Sequence, residues 1–396
     1  MRLDSQKFIS PFSIYVIWHP EFTEGKLYAE NIFSTFCREL KSPLARAINI
    51  PVYFRSKPKS NSNIPIEINY EESHKNAIVI LVDDKMVNDD HWRNYIQELV
   101  KNLPDNTRVF PIAFSDYSYY IDQAGLSKIQ FIRANEINGV TDSEIFDNKW
   151  KLIKSRLLHD VARQLKNEKE VYNTKKTDDA PVKLFLSHAK KDGEDLAKKF
   201  RDYLESYTKL DTFFDTNDIA DGHDFEEQIK TNINNSAIIV FNTDEFSNRE
   251  WCRREVIIAK RFGCPILCVH SIKKGETRSF PYLGNVPTLI WQDNIEEIIN
   301  DTLIQVIQIS YNKELLDYCK KMYEIDTKNY CIILPKAPEL FNYIDIEKYK
   351  FENVKETKDL IVLYPEPPLG IEEINLLNDV DGKIKFLTPV QLPNYI

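Results

Sequence analysis

Glycine is scarce in this chain, ten residues in 396, and neither glycine-rich turn that cradles a phosphate occurs. Dinucleotide folds of the hydride-transfer kind need Gly-x-Gly-x-x-Gly, and P-loop NTPases need Gly-x-x-x-x-Gly-Lys-Ser/Thr, so both classes are disfavoured. Six cysteines are present, Cys37, Cys252, Cys264, Cys268, Cys319 and Cys331, with no C-x-x-C pair and no histidine at metal-ligand spacing from them. They read as free thiols in a reducing cytosol, and no metal centre is expected. The residues Met1 to Ser5 lack the apolar run of a signal peptide, and no stretch approaches the ~18 apolar residues of a membrane helix. A cytoplasmic protein with no membrane partner is the expectation. Positive charge is also in deficit, 52 basic against 61 acidic residues for a net charge of −9. That removes the electrostatic footprint of a nucleic-acid binder, so nucleic acid is not expected as a direct ligand.

What is present is apolar residue in short runs. At 42% hydrophobic content, a chain of this length supports two or three domains with ample cores. In the central third, Lys183-Leu184-Phe185-Leu186 and Ala237-Ile238-Ile239-Val240-Phe241 are continuous apolar runs of the length buried parallel strands take. Thr212-Phe213-Phe214-Asp215 and Pro265-Ile266-Leu267-Cys268-Val269 read as further strands. Between them, Leu196, Phe200, Leu204 and Tyr207 mark one helix face and Phe225, Ile229 and Ile233 another. Ile295, Ile299, Leu303 and Val306 mark a closing helix that ends near residue 310.

The stretch from Phe246 to Glu255 carries the chemistry. Ser247 and Glu250 have capping-box spacing, which predicts a helix start there. From that start Trp251, Glu255, Ile258 and Phe262 recur on one face, and Gly263 stands where a left-handed C-cap is expected. An indole and a carboxylate one turn apart, on a helix reached from the C-terminal end of a strand, lie close to where open α/β sheets bind ligands. Helical geometry turns the flanking Arg253 and Arg254 away from Glu255, by about 200° and 100°.

The N-terminal third repeats this grammar, with strands at Ser13–Trp18, Pro51–Phe54, Ala77–Val82 and Arg108–Phe114, a tryptophan-led helix at His91–Ile96 and a closing helix through Ile153, Leu157 and Val161. The order suggests an internal duplication. Four residues after Trp92 stands Ile96 rather than a carboxylate, and Glu98 lies about 200° around the helix. Residues 168–180 are charged and almost without apolar content, the profile of an exposed linker. The expected domains are therefore 1–167, 181–310 and 311–396. In the last, strands at Tyr330–Leu334, Asp359–Leu363 and Ile384–Leu387 each run into proline, at Pro335, Pro365 and Pro389, with a helix at Ile371–Val380.

With these motifs in order, residues 181–310 resemble the Toll/interleukin-1 receptor (TIR) domain family, and most closely its bacterial and plant NAD-consuming branches. Phe185-Leu186-Ser187-His188 is similar to the family's first box, Asp215 to Gly222 to its BB loop, and Ser247, Trp251-Cys252 and Glu255 to the box holding its catalytic glutamate. The resemblance implies a fold of two flavodoxin-like, TIR-type parallel-sheet domains in tandem plus a small C-terminal α/β domain, the first domain being a degenerate TIR-like copy. It implies Glu255 as the catalytic residue, and Ser187, His188, Lys191, Asp215 and Trp251 as contacts to a dinucleotide. Asp218 and Gly222 would gate the pocket or make assembly contacts.

The implied activity is cleavage of NAD at the nicotinamide–ribose bond, giving nicotinamide and ADP-ribose or a cyclic product. NAD is the substrate and no cofactor is needed. A role as effector of bacterial antiphage defence follows, with a homo-oligomer or a defence-system protein as partner. The alternative is a non-catalytic TIR scaffold that assembles signalling partners. Chemically one carboxylate is enough, because the departing pyridine leaves neutral and needs no general acid, unlike the sugar oxygen of an ordinary glycoside.

Overall fold

The computed structural model describes residues 8–42, 47–60, 62–124, 126–166, 181–208, 210–213, 236–276, 278–325, 330–353 and 359–395. The chain divides into two compact units, Met1–Val161 and Ala162–Ile396. The expected linker, 168–180, lies outside the described residues.

The first unit is built on five parallel strands, β1 (Ser10–Trp18), β2 (Val52–Arg55), β3 (Ser73–Val82), β4 (Thr107–Ala113) and β5 (Ile132–Arg133), in the order β2-β1-β3-β4-β5. Helices α1 (Thr23–Phe36), the short α2 (Asp84–Asn88), α3 (Asp90–Lys101) and α4 (Asp142–Lys166) follow the strands. The strand β1 is buried along its whole length, which is why its sequence is a near-continuous apolar run rather than an alternating one. The α3 face formed by Trp92, Tyr95, Ile96 and Leu99 packs on Tyr15, Ile17, Ile78 and Ile80.

The second unit holds two sheets. The larger has β6 (Lys183–His188), β7 (Asp211–Phe213), β8 (Ser236–Asn242), β9 (Ile266–His270) and β10 (Thr288–Ile290), all parallel, in the order β7-β6-β8-β9-β10. This is the same strand order as the first unit, the flavodoxin-like 2-1-3-4-5 arrangement. The two domains are flavodoxin-like α/β folds in tandem. Helices α5 (Glu194–Tyr207) and α6 (Glu250–Arg261) flank this sheet. On α5 the buried residues are Ala197, Phe200 and Leu204, whereas Tyr207 is exposed. The helix expected at Phe225–Ile233 lies outside the described residues.

The closing helix α7 runs unbroken from Ile295 to Met322, 28 residues, so the junction expected near 310 falls inside it. Beyond it β11 (Tyr330–Ile333), β12 (Leu360–Leu363) and β13 (Ile384–Leu387) form a three-stranded parallel sheet with α8 (Leu340–Asn353) and α9 (Ile371–Val380). Ile333, Leu363 and Leu387 are in register. Pro335, Pro365 and Pro389 each follow by two residues, so all three prolines stand at one end of this sheet. Among the described residues, no helix is long and apolar enough to cross a membrane.

Candidate active site of the central domain

Ser187 and His188 end β6, and both are buried. In a 2-1-3-4-5 sheet the crevice opens at the C-terminal ends of the first and third strands, here β6 and β8. A hydroxyl at that depth needs a partner, since an unsatisfied one costs about 1–3 kcal/mol. Ser187 Oγ finds it in Glu255, donating to Oε2 at 2.5 Å.

The helix that brings Glu255 there starts differently from the sequence-based expectation. Phe246–Asn248 is a 3-10 turn, α6 begins at Glu250 with Arg249 at its N-cap, and no side chain caps it. The predicted capping box does not form, because Ser247 Oγ donates instead to Glu276 Oε1 at 2.7 Å. The C-terminus follows expectation. Gly263 takes φ +65°, its N–H donates to Lys260 O, and the Cys264 N–H donates to Ala259 O, the two bonds of a Schellman motif.

The buried face of α6 is Cys252, Val256 and Ala259. Cys252 Sγ lies 3.4 Å from His188 O, and three residues on Glu255 reaches Ser187. Two neighbouring positions of one helix face are therefore fastened to two neighbouring residues of one strand end. Trp251 is turned outward, 47% exposed, with the Arg254 guanidinium 4.6 Å from its ring centroid. The indole wall expected beside Glu255 is thus an outward surface covered in part by a cation.

The loops after β6 and β8 are tied across the crevice. Asp192 accepts from Thr243 Oγ1 at 2.7 Å and from the Glu245 N–H at 3.0 Å, and Lys191 makes an ion pair with Glu245. Lys191 therefore stands at the expected edge, with its charge matched by Glu245. The loop after β9 is anchored to the same edge by Asp244, whose Oδ1 accepts the N–H groups of Lys273, Lys274 and Gly275 at 2.9–3.0 Å. Those amides, the Lys274 one foremost, hold its carboxyl below the usual range.

The structure thus brings Ser187, His188 and Glu255 together and sets Lys191 on the rim, with Trp251 on the outer side of the same helix. Asp215, Asp218 and Gly222 lie outside the described residues. Asp192 and Asp244 were not singled out by sequence reasoning. The acidic pair Asp244-Glu245 directly past an apolar strand was the available signal for the loop ties. Among the described residues, no cluster of His, Cys, Asp or Glu is arranged to hold a metal ion.

The family model described as TIR domain matches residues 184–281. A comparison with curated proteins finds no match. Among solved structures, the TIR domain of the Toll-related receptor TRR-2 from Hydra magnipapillata is 20% identical, covering 32% of this chain and 97% of its own length at a TM-score of 0.26. The TIR domains of the activated Roq1 resistosome, which recognises the pathogen effector XopQ, are 17% identical over 37% of this chain and 98% of theirs, at 0.22. A tagatose-6-phosphate ketose/aldose isomerase from Escherichia coli is 12% identical over 76% and 82%, at 0.21.

Proposed function

We propose that the TIR domain carried by this chain at residues 184–281 cleaves NAD at the bond between ribose and nicotinamide, with Glu255 as the catalytic residue. The observation that supports this reading is the Ser187–Glu255 hydrogen bond at the switch-point crevice. It fixes a carboxylate where an α/β sheet of this order takes its ligand.

In the reaction the C1′–N bond breaks with its electron pair moving onto the pyridinium nitrogen, so nicotinamide leaves neutral. Positive charge is left on the ribose as an oxocarbenium-like species. An ionised Glu255 stabilises that charge and orients the ribose hydroxyls, the pre-organised electrostatic role that enzymes use most. Water adds at C1′ and releases its proton, giving ADP-ribose, or an internal adenine nitrogen adds to give a cyclic product. Ser187 keeps the carboxylate in one orientation, so no reorganisation is needed when the charge develops. His188 and Lys191 flank the place where the remainder of the dinucleotide would lie. Association of copies of the chain, or with a defence-system partner, would complete the pocket, and antiphage defence is the setting that fits an NAD-consuming effector.

The test is nicotinamide release from NAD by purified protein, with and without a crowding agent, beside Glu255→Gln. Loss of release in the variant supports the reading. Equal release from both proteins removes Glu255 from the mechanism. A non-catalytic scaffold is the second reading, and the outward Trp251 with Arg254 stacked on it favours it, because that pair is a surface suited to protein contact. No release under any condition selects this second reading.

A further inference from the structure

Between β2 and β3 the first unit has no α-helix among its described residues, only a 3-10 turn at Tyr70–Glu72. The connection is held in irregular form. Pro58 bridges Pro65, the Lys59 N–H donates to Ile64 O at 2.9 Å, and the Tyr15 hydroxyl donates to Asn69 O at 3.3 Å. Such a segment covers less of α3 than a packed helix would. A cavity of about 800 Å³ remains between the two, within the roughly 300–1,000 Å³ typical of small-molecule sites.

The floor of this cavity is apolar and aromatic, with Ile68 and Tyr70 from the connection and Tyr95 and Leu99 from α3. Each wall contributes one exposed carboxylate, Glu67 from the connection and Glu98 from the helix. None of the described lining residues is a lysine or arginine. Arg55, at the end of β2, has its guanidinium over the Tyr15 ring at 5.2 Å. Tyr95 is only 8% exposed, and its hydroxyl has no hydrogen-bond partner among the described residues.

Tyr95 also occupies a telling place. The N-cap of α3, Asp89, comes seven residues after Val82, the end of β3, and Arg249 comes seven after Asn242, the end of β8. Six residues beyond each N-cap stand Tyr95 and Glu255. The cavity therefore opens at the topological counterpart of the candidate catalytic position.

We propose that this cavity binds a small organic cation, an aromatic or aliphatic body bearing an amine or amidine. Two carboxylates at the rim attract the charge, Tyr70 and Tyr95 supply aromatic surface beside it, and the aliphatic floor receives the body. A nucleotide or sugar phosphate is disfavoured by the same inventory, since an anion there would meet two carboxylates and no lysine or arginine among the described lining residues. The site is thus not a second dinucleotide pocket, and the proposal stands independently of NAD cleavage.

The experiment is calorimetric titration of the full chain with three ligands of one indole body: tryptamine, neutral tryptophol and anionic indole-3-propionate. Tryptamine is expected to bind once per chain, at least about tenfold more tightly than tryptophol, with no binding of the propionate. The double variant Glu67→Gln/Glu98→Gln, both positions exposed and compatible with folding, should erase the preference for the cation. Tyr95→Phe should weaken tryptamine further than it weakens tryptophol. Glu255→Gln should leave all three titrations unchanged, which separates this site from the candidate active site. Absence of tryptamine binding, binding of the propionate, or a preference that survives in the double variant overturns the proposal. So does binding of a lysine-rich hexapeptide in place of tryptamine, which would make the cavity a protein-docking surface.

Discussion

The two flavodoxin-like domains share a strand order and spend the same crevice differently. In the central domain the end of β6 and the sixth position of α6, the helix after β8, are Ser187 and Glu255, joined by a hydrogen bond. In the N-terminal domain, strand register places Ile17 opposite Ile80 as Ser187 stands opposite Val240, and the helix position is Tyr95. Where the central domain has a polar pair, the N-terminal domain has a core pair, since both Ile17 and Tyr95 belong to one hydrophobic cluster. Sequence spacing pointed to Ile96 as the residue standing for the glutamate. The helix start shows why that was one position off. Asp89 caps α3 by accepting from the His91 and Trp92 N–H groups, which sets Trp92 third in its helix, while Trp251 is second in α6. The tryptophans are therefore not counterparts. Trp92 is 1% exposed and corresponds to the buried Cys252, and Ile96 corresponds to the buried Val256.

That contrast can be broken most forcefully at the tryptophans. Trp92→Ala removes a fully buried indole and should cost about 3–5 kcal/mol of stability, whereas Trp251→Ala should cost about 1 kcal/mol or less, as surface positions do. Chemical denaturation of both variants checks it, and equal costs would mean that the two helices are oriented alike. At the carboxylate, Glu255→Gln should lower nicotinamide release by about 10²–10³-fold without moving the unfolding midpoint by more than a surface change would. Ser187→Ala should lower the rate by about tenfold, the loss of one charge-assisted hydrogen bond of about 1.4 kcal/mol, with the effect in kcat rather than KM. A larger rise in KM than fall in kcat would assign Ser187 to binding instead of orientation.

A pH-dependent effect concerns Lys336, just past β11. Its ammonium donates to Cys264 O at 3.0 Å, and burial, reinforced by the Lys260 ammonium, holds its pKa down from 10.5 to about 8. Between these two values the unfolded chain binds a proton that the folded chain does not, so stability gains from this residue as pH rises through the window. Below pH 8 both states are protonated and the cost of burying the charge is constant. Relative to Lys336→Met, the wild type should therefore improve from pH 8 to pH 10.5 in urea unfolding. A gap that stays flat over that range would remove Lys336 as the cause.

Most of the strands were legible because both faces of a parallel sheet are buried, which writes them as uninterrupted apolar runs. Ile384–Leu387 and Ile371–Val380 fall where periodicity placed them. The C-cap at Gly263 was legible for a similar reason, since positive φ selects glycine. Boundaries set by competition between partners were not. Ser247 can satisfy a helix N–H or a carboxylate, and only the fold brings Glu276 within reach to win it. Helix α8 escaped notice because residues Leu340 to Asn353 mix apolar and charged side chains without a clear stripe. At the candidate site the sequence named the residues, Ser187, His188 and Glu255, but not the face. Trp251 and Glu255 share a helix side by spacing, and the contacts of Cys252 with His188 O and of Glu255 with Ser187 reveal which side meets the strand.

One feature of the central helix reaches past its own domain. Beyond Glu255 by five residues, about 7.5 Å along the axis, Lys260 pairs with Glu339 at 2.9 Å and Arg261 with Asp345 at 3.1 Å, while Lys336 holds Cys264 O. All three partners sit just past β11, on the proline-bearing end of the small sheet or the helix it leads into. The last turn of α6 is consequently a handle gripped by the C-terminal domain. A tilt of that sheet would act on the helix whose middle turn carries the carboxylate.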